Sequence, residues 1–165
     1  MPKTGVYHNT DLSKSIVERV QLLQKDIATD PDFFGFDTYA LRDNVRLISA
    51  TPNKTEWELD ILPHLCNKSG NLHGGAACTI LDNLTSTALL TIARPGFLDG
   101  GHVSRTITMT YLRPVPKGAK VKIVCEVVAA GKHTANVKGE MRLNDKICVT
   151  CIHDKAVFAR QQPKL

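Results

Sequence analysis

Residues 71–83 read NLHGGAACTILDN, a histidine and two glycines followed by an apolar run that carries one acid, Asp82. Those residue types at that spacing suit chemistry at the start of a helix. The first N–H groups of a helix have no intrahelical partner and lie at the positive end of its dipole. Glycine lets a ligand approach that backbone closely. A helix opening His73-Gly74-Gly75 therefore offers N–H donors to an oxyanion forming on a carbonyl. A lone carboxylate further along the same helix, with no other charge on its face, is read as functional rather than as an ordinary exposed acid. Glycines before helices are common, so the triplet specifies this chemistry only together with other residues.

The element that positions Asp82 is a helix expected from residue 74 to about residue 93, a stretch in which Asp82 is the one formal charge. At 100° per residue, Ala76, Ala77, Ile80, Leu81, Leu84 and Ala88 share a face that belongs against a sheet. Asp82 lies roughly opposite, among Cys78, Thr79, Asn83, Thr85, Ser86 and Leu89. A solvated helix face usually carries Lys, Glu and Arg. This one is small and weakly polar, which permits close approach of another surface. The economical partner for a chain of 165 residues is a second copy of itself.

The remaining elements follow from periodicity. A first helix is expected from Asp11 or Ser13 to about Ala28, with Ile16, Val17, Val20, Leu22, Leu23 and Ile27 as its apolar stripe. An irregular connector follows, holding Phe33, Phe34, Phe36 and Tyr39; the favoured role for these aromatics is to fasten the helix to the body, the alternative to wall a substrate pocket. Residues 45–51 read as a strand. In residues 55–61, Trp57, Leu59 and Ile61 alternate with Glu56, Glu58 and Asp60, as in a half-buried strand. Residues 102–112, 119–129, 133–143 and 146–158 read as four strands in hairpin succession, with short turns at Gly131-Lys132 and Asn144-Asp145. The expected class is α+β, a mostly antiparallel sheet around one long helix.

Composition narrows the function. One domain with an ordinary core is expected at this length. No apolar run is long enough to span a bilayer, and the first residues lack the apolar region of a secretory signal. The five cysteines, Cys66, Cys78, Cys125, Cys148 and Cys151, are an odd number in apolar surroundings, as free thiols in a reducing, cytoplasmic setting would be. Cys148 and Cys151 have CxxC spacing without a second pair, and on a strand that offset points them to opposite faces, so no metal site is expected. The net charge of +5 resides in the last third: residues 113–165 hold 11 Lys/Arg against 4 Asp/Glu, residues 1–112 hold 10 against 12. That excess suits a phosphorylated ligand. Basic residues spaced along strands, with only nine aromatics in the chain, argue against nucleic acid.

The linked string Asn67, His73-Gly74-Gly75, Asp82-Asn83, Val103-Ser104 and Tyr111-Leu112-Arg113-Pro114 resembles the hotdog-fold acyl-CoA thioesterases. The likeness is to the phenylacetate-type branch of the 4-hydroxybenzoyl-CoA thioesterase superfamily, and it covers about residues 40–160. It implies a hotdog domain over residues 41–160; the N-terminal helix and aromatic connector (1–40) are not explained by it, and a tail (161–165) follows. It also implies a homodimer, or a dimer of dimers, with sheets joined edge to edge and the active site between subunits. Carried over position by position, Gly74 donates its N–H to the thioester carbonyl, and Asp82 acts from the other subunit as base or nucleophile. Asn67 positions water or substrate, Ser104 assists on the water side, and His73 orients the loop or the thioester end. Gly75 and Asn83 line the substrate site. Arg113, Lys132 and His133 are candidates for the CoA phosphates. No cofactor is implied beyond CoA as part of substrate and product.

Hydrolysis of a carrier-protein-bound acyl or polyketide chain stays open, as does non-catalytic acyl-CoA binding. A hydratase would need an acid–base pair aimed at the carbons beyond the carbonyl, which the Asn67, Asp82 and Ser104 set does not resemble. His64, His102 and His153 are read as structural. The terminal Pro163-Lys164-Leu165 is similar to the peroxisomal address, with proline in place of its small first residue.

Overall fold

The computed structural model describes residues 10–29 and 35–158. Helix α1, Ile16–Thr29, starts later than the sequence suggests. Asp11 is consumed in a local turn, accepting from the Ser13 N–H and hydroxyl at 3.0 and 2.6 Å. Ser15 and Glu18 then form a reciprocal cap: the Ser15 N–H donates to the Glu18 carboxylate at 2.8 Å, and the Glu18 N–H donates to the Ser15 hydroxyl at 3.3 Å. Val20 enters the core, but Val17 and Leu22 face out, so the apolar stripe is narrower than expected. The side chains of Leu23 and Ile27 lie outside the described set.

The connector is partly helical. Helix α2, Phe36–Leu41, buries Thr38, Ala40 and Leu41. Phe36 and Tyr39 stay 74% and 52% exposed, and the Tyr39 ring meets His64 edge-on at 4.8 Å between centroids. Phe33 and Phe34 lie outside the described residues, as does the Pro163-Lys164-Leu165 tail.

Strands β1 (Val45–Thr51), β2 (Lys54–Asp60), β3 (His102–Tyr111), β4 (Lys120–Ala130), β5 (Thr134–Leu143) and β6 (Lys146–Val157) form one antiparallel sheet in the order β1-β2-β4-β5-β6-β3. The expected β3–β4 hairpin is absent. The chain after β3 contains Pro114 and Pro116 and crosses the end of the sheet, where Leu72 N–H donates to Val115 O at 2.8 Å and Lys117 N–H to Gly70 O at 2.8 Å. It therefore enters β4 beside β2, and β3 lies against β6 instead. The β5–β6 turn is as expected: Asn144 and Asp145 both have positive φ, 48° and 62°, the two-residue geometry that matches strand twist.

Helix α3, Gly74–Leu90, packs across one face of the sheet. Ala77, Ile80, Leu81, Leu84 and Ala88 are buried as the periodicity requires. Beneath them lie Trp57, Leu59, Val121, Ile123, Cys125, Val137, Met141 and Cys151. Burying each large side chain here contributes about 1.5–3 kcal/mol. Trp57 is completely buried, its indole N–H donating to the Thr55 hydroxyl at 3.0 Å. Helix and sheet come close at Gly139, paired with Cys125 on one side and Cys151 on the other. A Cβ there would stand 2.7 Å from Cys151 Sγ and 2.8 Å from Thr85 Cγ2, so the glycine lets the helix settle onto the sheet. Cys148 and Cys151 are both buried, because a bulge opposite Met141 and Arg142 breaks the strand's alternation. No helix among the described residues is long and apolar enough to cross a membrane.

Candidate active site

Two clusters form along α3. The first surrounds its N-terminus. His73 is the cap residue, and its Nδ1 accepts from the Gly75 N–H at 2.9 Å. A neutral imidazole accepting at Nδ1 carries its proton on Nε2. Gly75 is thus satisfied within the loop, while the Gly74 N–H has no partner among the described residues. Tyr111 donates its hydroxyl to Gly74 O at 2.9 Å, and its ring lies where a Gly74 side chain would point, 3.4 Å from an added Cβ. Asn67 spends its side-chain oxygen on the backbone of Ser69 and Asn71, at 3.0 and 3.2 Å. Its amide N–H₂ is left as the group available to a ligand. Asn67, Leu72, Ala77, Tyr111, Arg113 and Val115 border a groove of about 410 Å³.

The second cluster surrounds Asp82, whose side chain is 42% exposed. The Ser104 hydroxyl donates to Asp82 Oδ1 at 2.6 Å, so two residues predicted to act together are in contact. His153 and Lys155 join them. The Lys155 ammonium, on a residue 3% exposed, donates to Ser86 at 2.6 Å and to Ser104 at 3.2 Å. His153 Nε2 lies 3.3 Å from Asp82 Oδ1 without hydrogen-bond alignment. Its Nδ1 is 2.7 Å from the Thr85 hydroxyl, which itself donates to Leu81 O at 2.6 Å. His153 is expected from the sequence to be structural, and Lys155 is not among the expected site residues. Their common parity with the inward Cys151 and Val157 was the available signal.

Burial pushes the His153 and His102 imidazoles down to about 4, with the Lys155 charge acting in the same direction. Both are neutral in the fold, whereas the unfolded chain takes up those protons below about 6.5. Folding stability is therefore fully present above that value and declines as pH falls toward about 4. The urea midpoint should drop on acidification from pH 7 to pH 5, and less steeply in His102→Gln; an unchanged slope in that variant would contradict the assignment.

Thr85 and Leu89, expected beside Asp82, are buried instead, so the partly open face of α3 reduces to Cys78, Thr79, Asp82, Asn83 and Ser86. Asn83 donates to Asp37 of α2 at 3.1 Å and to Thr79 O at 3.0 Å, tying the two helices together. Arg113 donates to Ile147 O at the far end of β3, whereas Lys132 and His133 occupy the β4–β5 loop near the start of β3. Ten strand residues, about 33 Å, separate these basic groups within one chain.

Residues 69–150 match the thioesterase superfamily model. Mouse acyl-coenzyme A thioesterase 13 is 33% identical over 103 residues, 61% of this chain and 68% of the mouse protein. The chain belongs to the thioesterase superfamily. Zebrafish thioesterase superfamily member 2 superposes with a TM-score of 0.76 at 24% identity, over 88% of this chain and 99% of that one. Mouse thioesterase superfamily member 2 gives 0.73 at 25%, with the same coverage. The sheet and central helix are those of the hotdog fold, and the thioesterase is a thioester hydrolase.

Proposed function

We propose that this thioesterase hydrolyses acyl-CoA to the free acid and CoA, at sites built from two copies of the chain. The carrying observation is the distance between the two clusters. Gly74 and Asp82 are eight residues apart on one helix, about 12 Å along its axis. An oxyanion donor and a water-activating base must both lie about 3 Å from the same carbonyl group. Asp82 of a second copy, laid antiparallel, meets that requirement. Two features support such pairing. The face around Asp82 is small, and β3 is an edge strand with no further neighbour in the sheet. Joining two β3 edges antiparallel would also bring Arg113 of one copy toward Lys132 and His133 of the other.

In this arrangement the Gly74 N–H and the Asn67 amide bind the thioester oxygen. Asp82 Oδ1 is held by Ser104, leaving Oδ2 to take a proton from water. Attack gives a tetrahedral oxyanion at Gly74, and its collapse breaks the carbon–sulfur bond and releases CoA as the thiolate, which regains the proton from Asp82. The similarity to a protein named acyl-coenzyme A thioesterase supports CoA as the carrier. The test is CoA release, followed by chromatography, across short, long and aromatic acyl-CoA esters. Turnover with a chain preference is expected. Absence of turnover on every ester would overturn the reading, and turnover indifferent to loss of both Arg113 and Lys132 would remove those residues from CoA binding.

A further inference from the structure

The mechanism above leaves Lys155 unused, yet this buried cation touches both serines that flank Asp82. An ammonium has three donors and no acceptor, so any hydroxyl in contact with it must turn its oxygen toward it and its hydrogen away. Ser104 sends that hydrogen to Asp82 Oδ1 at 2.6 Å, and Ser86 sends its own to the Asp82 backbone carbonyl at 2.7 Å. Both hydroxyls thus point from Lys155 to residue 82. We propose that Lys155 is a positioning residue, resting on the hydrolase reading above, whose charge fixes the Ser104 hydroxyl as a donor to Asp82 and thereby keeps the other carboxylate oxygen for water.

A neutral amine would accept as well as donate. Ser104 could then turn its hydrogen to Nζ, and Asp82 would lose its tether. Burial brings the Lys155 ammonium down to about 8, against the pull of the Asp82 carboxylate. The other titratable groups facing this pocket are His102 from β3 and His153 from β6; Asp154 turns to the opposite face of β6, where it accepts from Asn136 Nδ2 at 2.7 Å. The β5 partner of Lys155 is Ala135, which adds no charge. Turnover should accordingly fall as pH rises through about 8, as Lys155 loses its proton.

The test is a double-mutant cycle on kcat and KM, with a pH profile. Lys155→Met should lower kcat about tenfold with KM within about twofold, the size of one hydrogen bond to a charged group. Ser104→Ala should lose a similar factor, and the double variant should be no worse than Ser104→Ala alone. The alkaline limb near pH 8 should be present in wild type and absent from Ser104→Ala. That comparison stands even if Lys155→Met does not fold. Losses that multiply in the double variant, or an alkaline limb that persists in Ser104→Ala, would overturn the positioning role while leaving the hydrolase reading intact. A wild type without turnover would remove both.

Discussion

Asp82→Asn is expected to lower kcat by about 10²–10⁴-fold, the span usually supplied by one positioned base. The amide matches the carboxylate in size and keeps an oxygen for the Ser104 hydroxyl, 2.6 Å away, so folding and KM should change little. A variant that retains most of its turnover would exclude Asp82 from the reaction. Single turnover in isotopically labelled water separates the two roles open to the wild-type carboxylate. As general base, Asp82 lets label go directly into the product acid; as nucleophile, it passes one of its own oxygens to the product. Mixing gives a stricter result. Asp82→Asn and Asn67→Ala should each be nearly inactive, but a mixed dimer assembles one site from the intact half of each. Half of randomly paired dimers are mixed and each holds one working site of two, so about a quarter of wild-type activity should return. No recovery after subunit exchange would mean that both residues serve from the same copy.

Gly139→Ala should cost about 1–3 kcal/mol, the range for overpacking a filled core. In a domain of this size that lowers the melting midpoint by roughly 2–12 °C. The added methyl meets Cys151 Sγ, Thr85 Cγ2 and Leu81 Cδ2, at 2.7, 2.8 and 3.1 Å. Thr85 has little room to withdraw, because its hydroxyl is bonded to Leu81 O and to His153. Displacing Thr85 also moves His153 away from Asp82, so activity should fall further than stability alone requires. Cys151→Ala removes one of the clashing atoms and should restore part of the loss in the double variant. A Gly139→Ala protein as stable as wild type would show that the helix tolerates standing further from the sheet.

Legibility in the sequence followed exposure to water. Residues 55–61 alternated cleanly because one face of β2 is the more open one; β5 kept the alternation in its residue types although Glu140 of its polar face is buried between Lys138 and Arg142. The partner of β3 was not readable, since nothing local in its strand pattern distinguishes β4 from β6; the choice is made by the proline-bearing crossing around Val115. Helix α2 is too short to leave a periodic signature. Asn67, His73, Gly74, Asp82 and Ser104 are candidates through the family resemblance that their linked spacing carries. The structure brings Asp82 to Ser104, and Asn67 to the groove beside Gly74, as two separate clusters. Lys155 is not legible as a site residue because a lysine in a strand ordinarily belongs to the solvent face. Here it points inward, its charge accepted by two serine oxygens close to a carboxylate.

Trp57 is the one tryptophan of the chain, sealed on β2 and wired to Thr55 rather than to water. The protein thus carries its own optical probe. Indole emission from a dry pocket is blue and shifts red when water enters, so a single fluorophore reports opening of the core without any label. It sits on a different strand from the residues that touch Asp82. Substitutions at Asp82, Ser104 or Lys155 should leave the folded spectrum unchanged, and loss of turnover can be told from loss of structure in one cuvette.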